Sequence, residues 1–65
     1  MDNNLYIVSF IRQGNLPNED YYYRRKEDAL YHFNLFKQDN SGLYQRILLV
    51  ENGQQEICLD EITFR

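Results

Sequence analysis

Two stretches of this chain are apolar on both sides of an extended backbone. LYIVSFIR, residues 5–12, places Tyr6, Val8 and Phe10 on one side and Leu5, Ile7 and Ile11 on the other, because successive strand side chains point to opposite faces. ILLV, residues 47–50, does the same. Strands of this kind sit at the centre of a sheet with cover on both faces. One segment has the pattern of a covering helix: KEDALYHFNLFKQ, residues 26–38. There Ala29, Leu30, Phe33 and Phe36 form one stripe at about 100° per residue. A helix of that length is about 20 Å long and covers one face of a small sheet, not two. This shortage of cover constrains the fold more than any other feature.

The rest of the chain fits that frame. At 65 residues it is a single domain, residues 1–65, too short for a TIM barrel or a Rossmann domain. A domain this small buries only about 60% of its unfolded surface, so it needs a dense core, a staple or a partner. One cysteine, Cys58, excludes an internal disulfide, and with one histidine, His32, it cannot build a zinc site. Six Tyr and four Phe can supply a dense aromatic core. The start, MDNNLYIVSF, has an acid where a signal peptide is basic. With a lone thiol, this leads to the expectation of a cytoplasmic protein without an export signal.

LYIVSFIR reads as a first strand and QGNLPN, 13–18, as a loop in which Gly14 and Asn15 tolerate positive φ. Tyr21, Tyr22 and Tyr23 favour a second strand paired with the first. The rival is a long helix capped by Asn18 with Glu19 and Asp20 in its first turn. Arg25 is a poor cap for a helix starting at Lys26, and Asn40 or Gly42 can end that helix in the left-handed conformation. Leu43–Glu51 and Gln54–Phe64 form a hairpin around Asn52-Gly53, the strongest turn signal in the chain, which favours type I′. That turn sets Glu51 opposite Gln54, Leu48 opposite Ile57 and Ile47 opposite Cys58. Tyr44, Leu48, Val50, Ile57 and Leu59 then share one face; Leu43, Ile47, Leu49, Cys58 and Ile62 share the other. The expected fold is α+β: a small β-β-α-β-β domain, its sheet mainly antiparallel, with one helix packed on one face.

Sites of chemistry are sparse. A Cys58–His32 pair lacks a third group to orient the imidazole, and Cys58 between Ile57 and Leu59 reads as a small hydrophobe. The neighbouring carboxylates Glu19-Asp20, Glu27-Asp28 and Asp60-Glu61 point to different sides of their elements and make no acid–base dyad. No catalytic residue, metal site or cofactor is expected. Tyr22, Arg24, Arg25 and Lys26 are the candidate nucleic-acid contacts, since rings beside cations can stack on bases and neutralise phosphates. Acidic pairs flank them on both sides, and a net charge of −3 works against that use. On the helix, Tyr31 and Leu35 form an i, i+4 pair that, with His32 and Asp28, could be a small contact site.

The segments LYIVSF, YYYRRKEDALYHFNLF and ILLVENGQQEICL resemble the very short, Tyr- and Asn-rich orphan proteins of low-GC Gram-positive bacteria and their mobile elements. The resemblance implies a bacterial origin. It brings no activity and no functional residue.

The surplus of apolar sheet surface therefore carries the functional expectation: a non-enzymatic protein-interaction or self-associating domain that uses an uncovered sheet face or an unpaired sheet edge. Its contact residues are Ile7, Ile47 and Leu49, with Leu43 and Ile62 nearby. If the helix covers that face instead, the contact set becomes Val8, Phe10, Leu48 and Val50, because a slip of one residue exchanges the faces. The partner is another protein or a second copy of the chain. Nucleic acid is the alternative, and no membrane is involved.

Overall fold

β1, Leu5–Arg12, is the strand on which both halves of the chain are built. The computed structural model describes residues 4–14 and 16–64. Asn15, expected to help turn the first loop, lies outside them. β2 is Glu19–Tyr23, α1 Lys26–Leu35, β3 Tyr44–Asn52 and β4 Glu56–Thr63. The strands form one antiparallel sheet in the order β2-β1-β3-β4, with the helix packed on it. The small α+β fold and the central place of β1 follow the sequence pattern. So does the extended conformation of Tyr21–Tyr23.

The helix starts at Lys26 without a side-chain cap, Arg25 being extended at its N-cap. Glu27 and Asp28 in its first turn complement the macrodipole. It ends at Leu35, three residues short of the expected Gln38, with Phe36 as C-cap. The last carbonyls are taken up by i+3 bonds, Phe36 N–H to Phe33 O at 3.2 Å and Lys37 N–H to Asn34 O at 3.3 Å. The left-handed residue is not at the helix end. Gly42, at φ +77, belongs to a later turn in which the Asp39 carboxylate accepts from the Ser41 hydroxyl at 2.6 Å.

The core lies between α1 and one face of the sheet. Tyr6, Val8 and Phe10 of β1 point to that face, and Val8 and Phe10 stand opposite Leu49 and Ile47 of β3. Ala29 and Phe33 close over them, and all six of Val8, Phe10, Ala29, Phe33, Ile47 and Leu49 are buried. Each fully buried large side chain contributes about 1.5–3 kcal/mol relative to exposure. Leu30, expected in the stripe, is exposed instead. α1 packs over β1, β2 and β3 but does not reach β4.

The hairpin departs from expectation. Asn52-Gly53 does not form a two-residue type I′ turn, which needs positive φ at both residues; among the described residues only Gly14 and Gly42 have positive φ. Residues 53–55 make the turn, closed by Gly53 N–H donating to Gln55 O at 3.2 Å. The Asn4 side chain crowds the space a Cβ at Gly53 would fill. Asn4 Nδ2 donates to Glu51 Oε2 at 2.7 Å. A Cβ there would have to displace the end of the Asn4 side chain, and the φ of Gly53 is not positive.

The register shifts accordingly. Glu51 faces Ile57, Leu48 faces Glu61 and Ile47 faces Ile62. Two bulges then reassign faces. Leu59 is the extra residue of β4, since Leu49 faces Asp60 while Val50 faces Cys58. Gln45 is the extra residue of β3, since Ile11 faces Arg46 while Arg12 faces Tyr44. Beyond each bulge the alternation flips. The first brings Ile62 and Phe64 to the helix side; the second brings Tyr44 there, away from Leu48 and Val50.

Candidate functional site

The face of the sheet turned away from the helix is built in rows across the strands. One row runs Tyr22, Ile7, Val50, Cys58, one residue from each strand. It is apolar from edge to edge, and among the described residues no helix or strand lies over it. Ile7 and Val50 in the middle are only 8% and 7% exposed, screened by their own neighbours, while Tyr22 at the rim is 60% exposed. The next row runs Asp20, Ser9, Leu48, Glu61. Here the Ser9 hydroxyl donates to Asp20 Oδ1 at 2.6 Å. Arg46, one row further on beside Ile11 and Thr63, reaches back to Glu61, its Nε donating to Oε2 at 3.1 Å. The face is therefore an apolar band with Leu48 and Ile11 continuing it, edged by the Ser9–Asp20 hydrogen bond and the Arg46–Glu61 ion pair.

The expected contact set splits between the two faces. Ile47 and Leu49 are core, beneath the helix, and Ile62 is half-buried on the same side. Ile7 belongs to the opposite face. Leu43 precedes β3 and is exposed. The alternative set divides too: Val8 and Phe10 are core, while Leu48 and Val50 are on the open face. The physical reason is the antiparallel register, which puts Val8 opposite Leu49 and Phe10 opposite Ile47 and so binds these four to one face. Tyr22 is the residue of the band that sequence reasoning assigned to another use. The period-2 alternation of Tyr21–Tyr23 carried the signal, but its register across the 13–18 loop was not fixed.

Around the helix flank a second group assembles. The Phe10 ring meets Tyr21, His32, Phe36 and Tyr44 at centroid distances of 5.0–5.5 Å, mostly edge-on or tilted. Such pairs add about 0.5–1.5 kcal/mol each beyond their buried area. His32 also lies 5.0 Å from Tyr21 and 5.7 Å from Tyr23. The Tyr23 hydroxyl and His32 Nδ1 are hydrogen-bonded at 2.6 Å; with Nδ1 accepting, the ring proton is on Nε2. Burial lowers the His32 pKa below its ordinary 6.5. Burial first, then the Glu19 charge, raises that of Tyr44.

Beside this group is an open depression of about 400 Å³, lined by Tyr23, Asp28, Tyr31, His32 and Leu35. Four of these are the Tyr31, Leu35, His32 and Asp28 picked out from helical spacing; Tyr23 is the one that spacing missed, because it comes from β2.

Of the candidate nucleic-acid contacts, Tyr22 points to the open face, while Arg24 and Arg25 lie in the β2–α1 connection. The Arg25 guanidinium is held by Glu27, with Nε donating to Oε1 at 2.7 Å. The same pairing lowers the Glu27 pKa and raises that of Arg25. Cys58 is exposed on the open face and His32 packs on the helix side, so the two do not form a pair. Cys58 Sγ donates to Asp60 O at 3.4 Å. Among the described residues no group of three His, Cys, Asp or Glu could hold a metal ion. No helix of the described residues is long and apolar enough to cross a membrane. Protein-family models, curated proteins and solved structures return no match to the chain.

Proposed function

We propose that this chain is a small non-enzymatic protein-interaction domain whose open sheet face takes a partner surface, either another protein or a second copy of itself. The observation that carries the reading is the uncovered row Tyr22, Ile7, Val50, Cys58. The exposed ends of this row, Tyr22 and Cys58, gain by leaving water, and polar groups edging an apolar band are the usual anatomy of a contact patch. Arg46 is already matched by Glu61, so a partner can cover that pair without stranding a lone charge, while Asp20, which only the Ser9 hydroxyl meets, stays at the solvated rim. Nucleic acid has less to draw on, since Arg25 is tied to Glu27 and Tyr22 faces the other way from the helix.

The test is solution mass over a wide concentration range, with affinity capture from cells. Leu48→Lys is expected to abolish association while leaving the far-UV spectrum and melting temperature unchanged. A strict monomer that captures no partner overturns the reading. Association that weakens steeply with salt, and with the Arg24→Ala, Arg25→Ala double variant, would favour the nucleic-acid alternative.

A further inference from the structure

The depression on the helix flank is separate from the open sheet face and asks for a ligand of its own. Its walls are the rings of Tyr23, Tyr31 and His32 and the side chain of Leu35, and its one carboxylate is Asp28. We infer that it binds an organic ammonium group, an amine or N-methylated amine carried on an aliphatic stem.

Each part of the lining favours that chemistry. Aromatic faces attract cations through their quadrupole, and several rings with a carboxylate attract them more strongly than either alone. Asp28 supplies the charge. Arg25 is bonded to Glu27 and feels Asp28 only as a weaker influence, so it screens that charge in part. Burial lowers the His32 pKa and favours the neutral ring, which lessens its repulsion of a cation. The Tyr23 hydroxyl is already bonded to His32 Nδ1 and demands no acceptor from a ligand. Leu35 offers the apolar contact that an aliphatic stem needs. An anion would meet Asp28, and a neutral apolar ligand would leave Asp28 unused. The volume, about 400 Å³, is within the range of small-ligand sites and admits a group the size of a butyltrimethylammonium.

The test is an NMR titration of the intact chain, following amide and ring resonances of Tyr23, Tyr31 and His32. The probes are choline, its neutral isostere 3,3-dimethylbutan-1-ol, and a short peptide bearing trimethyllysine. Choline is expected to give saturable shifts confined to the depression, with the isostere about two- to fivefold weaker. Asp28→Asn should weaken choline about two- to fivefold and leave the isostere unchanged, while Tyr31→Ala should weaken both, choline more than the isostere. Both residues are exposed, so the variants should stay folded, with Asp28→Asn melting slightly lower for the loss of a charge at the helix start. Saturation by choline assigns the site to a free cation; saturation by the peptide alone assigns it to a modified side chain of another protein. Equal binding of choline and the isostere overturns the proposal, as does the absence of shifts with both cations. Shifts at Ile7 or Val50 would report on the sheet face instead, so the two readings fail separately.

Discussion

The two faces of this sheet are made from alternate residues of the same strands, and they solve opposite problems. On the covered side Val8, Phe10, Ile47 and Leu49 are buried and find their partners in Ala29 and Phe33. That side is held by shape, and nothing in its centre needs a hydrogen bond. On the open side water is the default neighbour. Its polar residues are matched across strands, Ser9 with Asp20 and Arg46 with Glu61, around an apolar band that only its own neighbours screen. The helix completes the burial of the covered side, whereas on the open side only the middle of the band, Ile7 and Val50, is shielded, and by its strand neighbours alone.

Leu48 and Leu49 put that contrast to its hardest test, since the residue type is the same and only the face differs. Leu49 is 2% exposed beneath the helix. Leu49→Lys places an ammonium in the core without a partner, a change expected to remove more than about 4 kcal/mol. A domain of this size has about 3–10 kcal/mol in total, so the variant should be largely unfolded in a urea titration. Leu48→Lys should stay within about 0.5 kcal/mol of the parent, because its ammonium reaches water and lies near Glu61 across the strand pair. Equal losses would mean that the open face is also core, and the proposed contact surface would go with it.

How much of this was legible in the sequence divides along the same line. Periodicity located β1 to the residue, placed α1 and drew Tyr21–Tyr23 as a strand, because each signal is local. It also grouped Tyr31, Leu35, His32 and Asp28, since i, i+3 and i, i+4 spacing sets neighbours on a helix. Register was not legible. Asn52-Gly53 promised a tight turn, but Asn4 packs against Gly53 and the loop takes residues 53–55, which slides β4 along β3. The bulges at Gln45 and Leu59 were equally invisible, although they matter most for function. The bulge at Gln45 carries Tyr44 to the covered side, and the one at Leu59 returns Ile62 to the face of Ile47 and Leu49 where strict alternation had it, leaving Arg46, Glu61 and Thr63 on the open one. The open face is consequently narrower in its apolar content than strict alternation predicts, and the shortage of cover is met in part by the sheet itself.

A milder probe acts at the margin of the covered side, where burial is incomplete. His32 packs against Phe10, Phe36, Tyr21 and Tyr23, and the titratable groups facing it are the two tyrosines of β2 with Asp28 on its own helix. Its folded pKa is lowered by burial, so the unfolded chain binds the proton more readily. The stabilisation is fully present above the ordinary 6.5 and is lost as pH falls through the lower folded value. Thermal melts between pH 8 and about pH 5 should show the midpoint falling as His32 protonates, and His32→Phe should remove that step. A midpoint that does not move over this range would place the imidazole in water rather than in the aromatic group.

The smallest expected effect belongs to the open face. Ser9→Ala deletes the hydroxyl that donates to Asp20 Oδ1 at 2.6 Å. In the core, removing one partner would strand the other in a dry environment at a cost of about 1–3 kcal/mol. Here Asp20 is exposed and water takes the place of the hydroxyl at once, so the loss should be no more than about 0.5 kcal/mol in urea titrations. The substitution also removes a polar group from the row beside Tyr22, Ile7, Val50 and Cys58, which widens the apolar band. Association measured by sedimentation should therefore strengthen or hold while stability barely changes. A loss approaching that of a core deletion would show that Ser9 and Asp20 are not bathed by solvent, and that the face called open is covered within the chain itself.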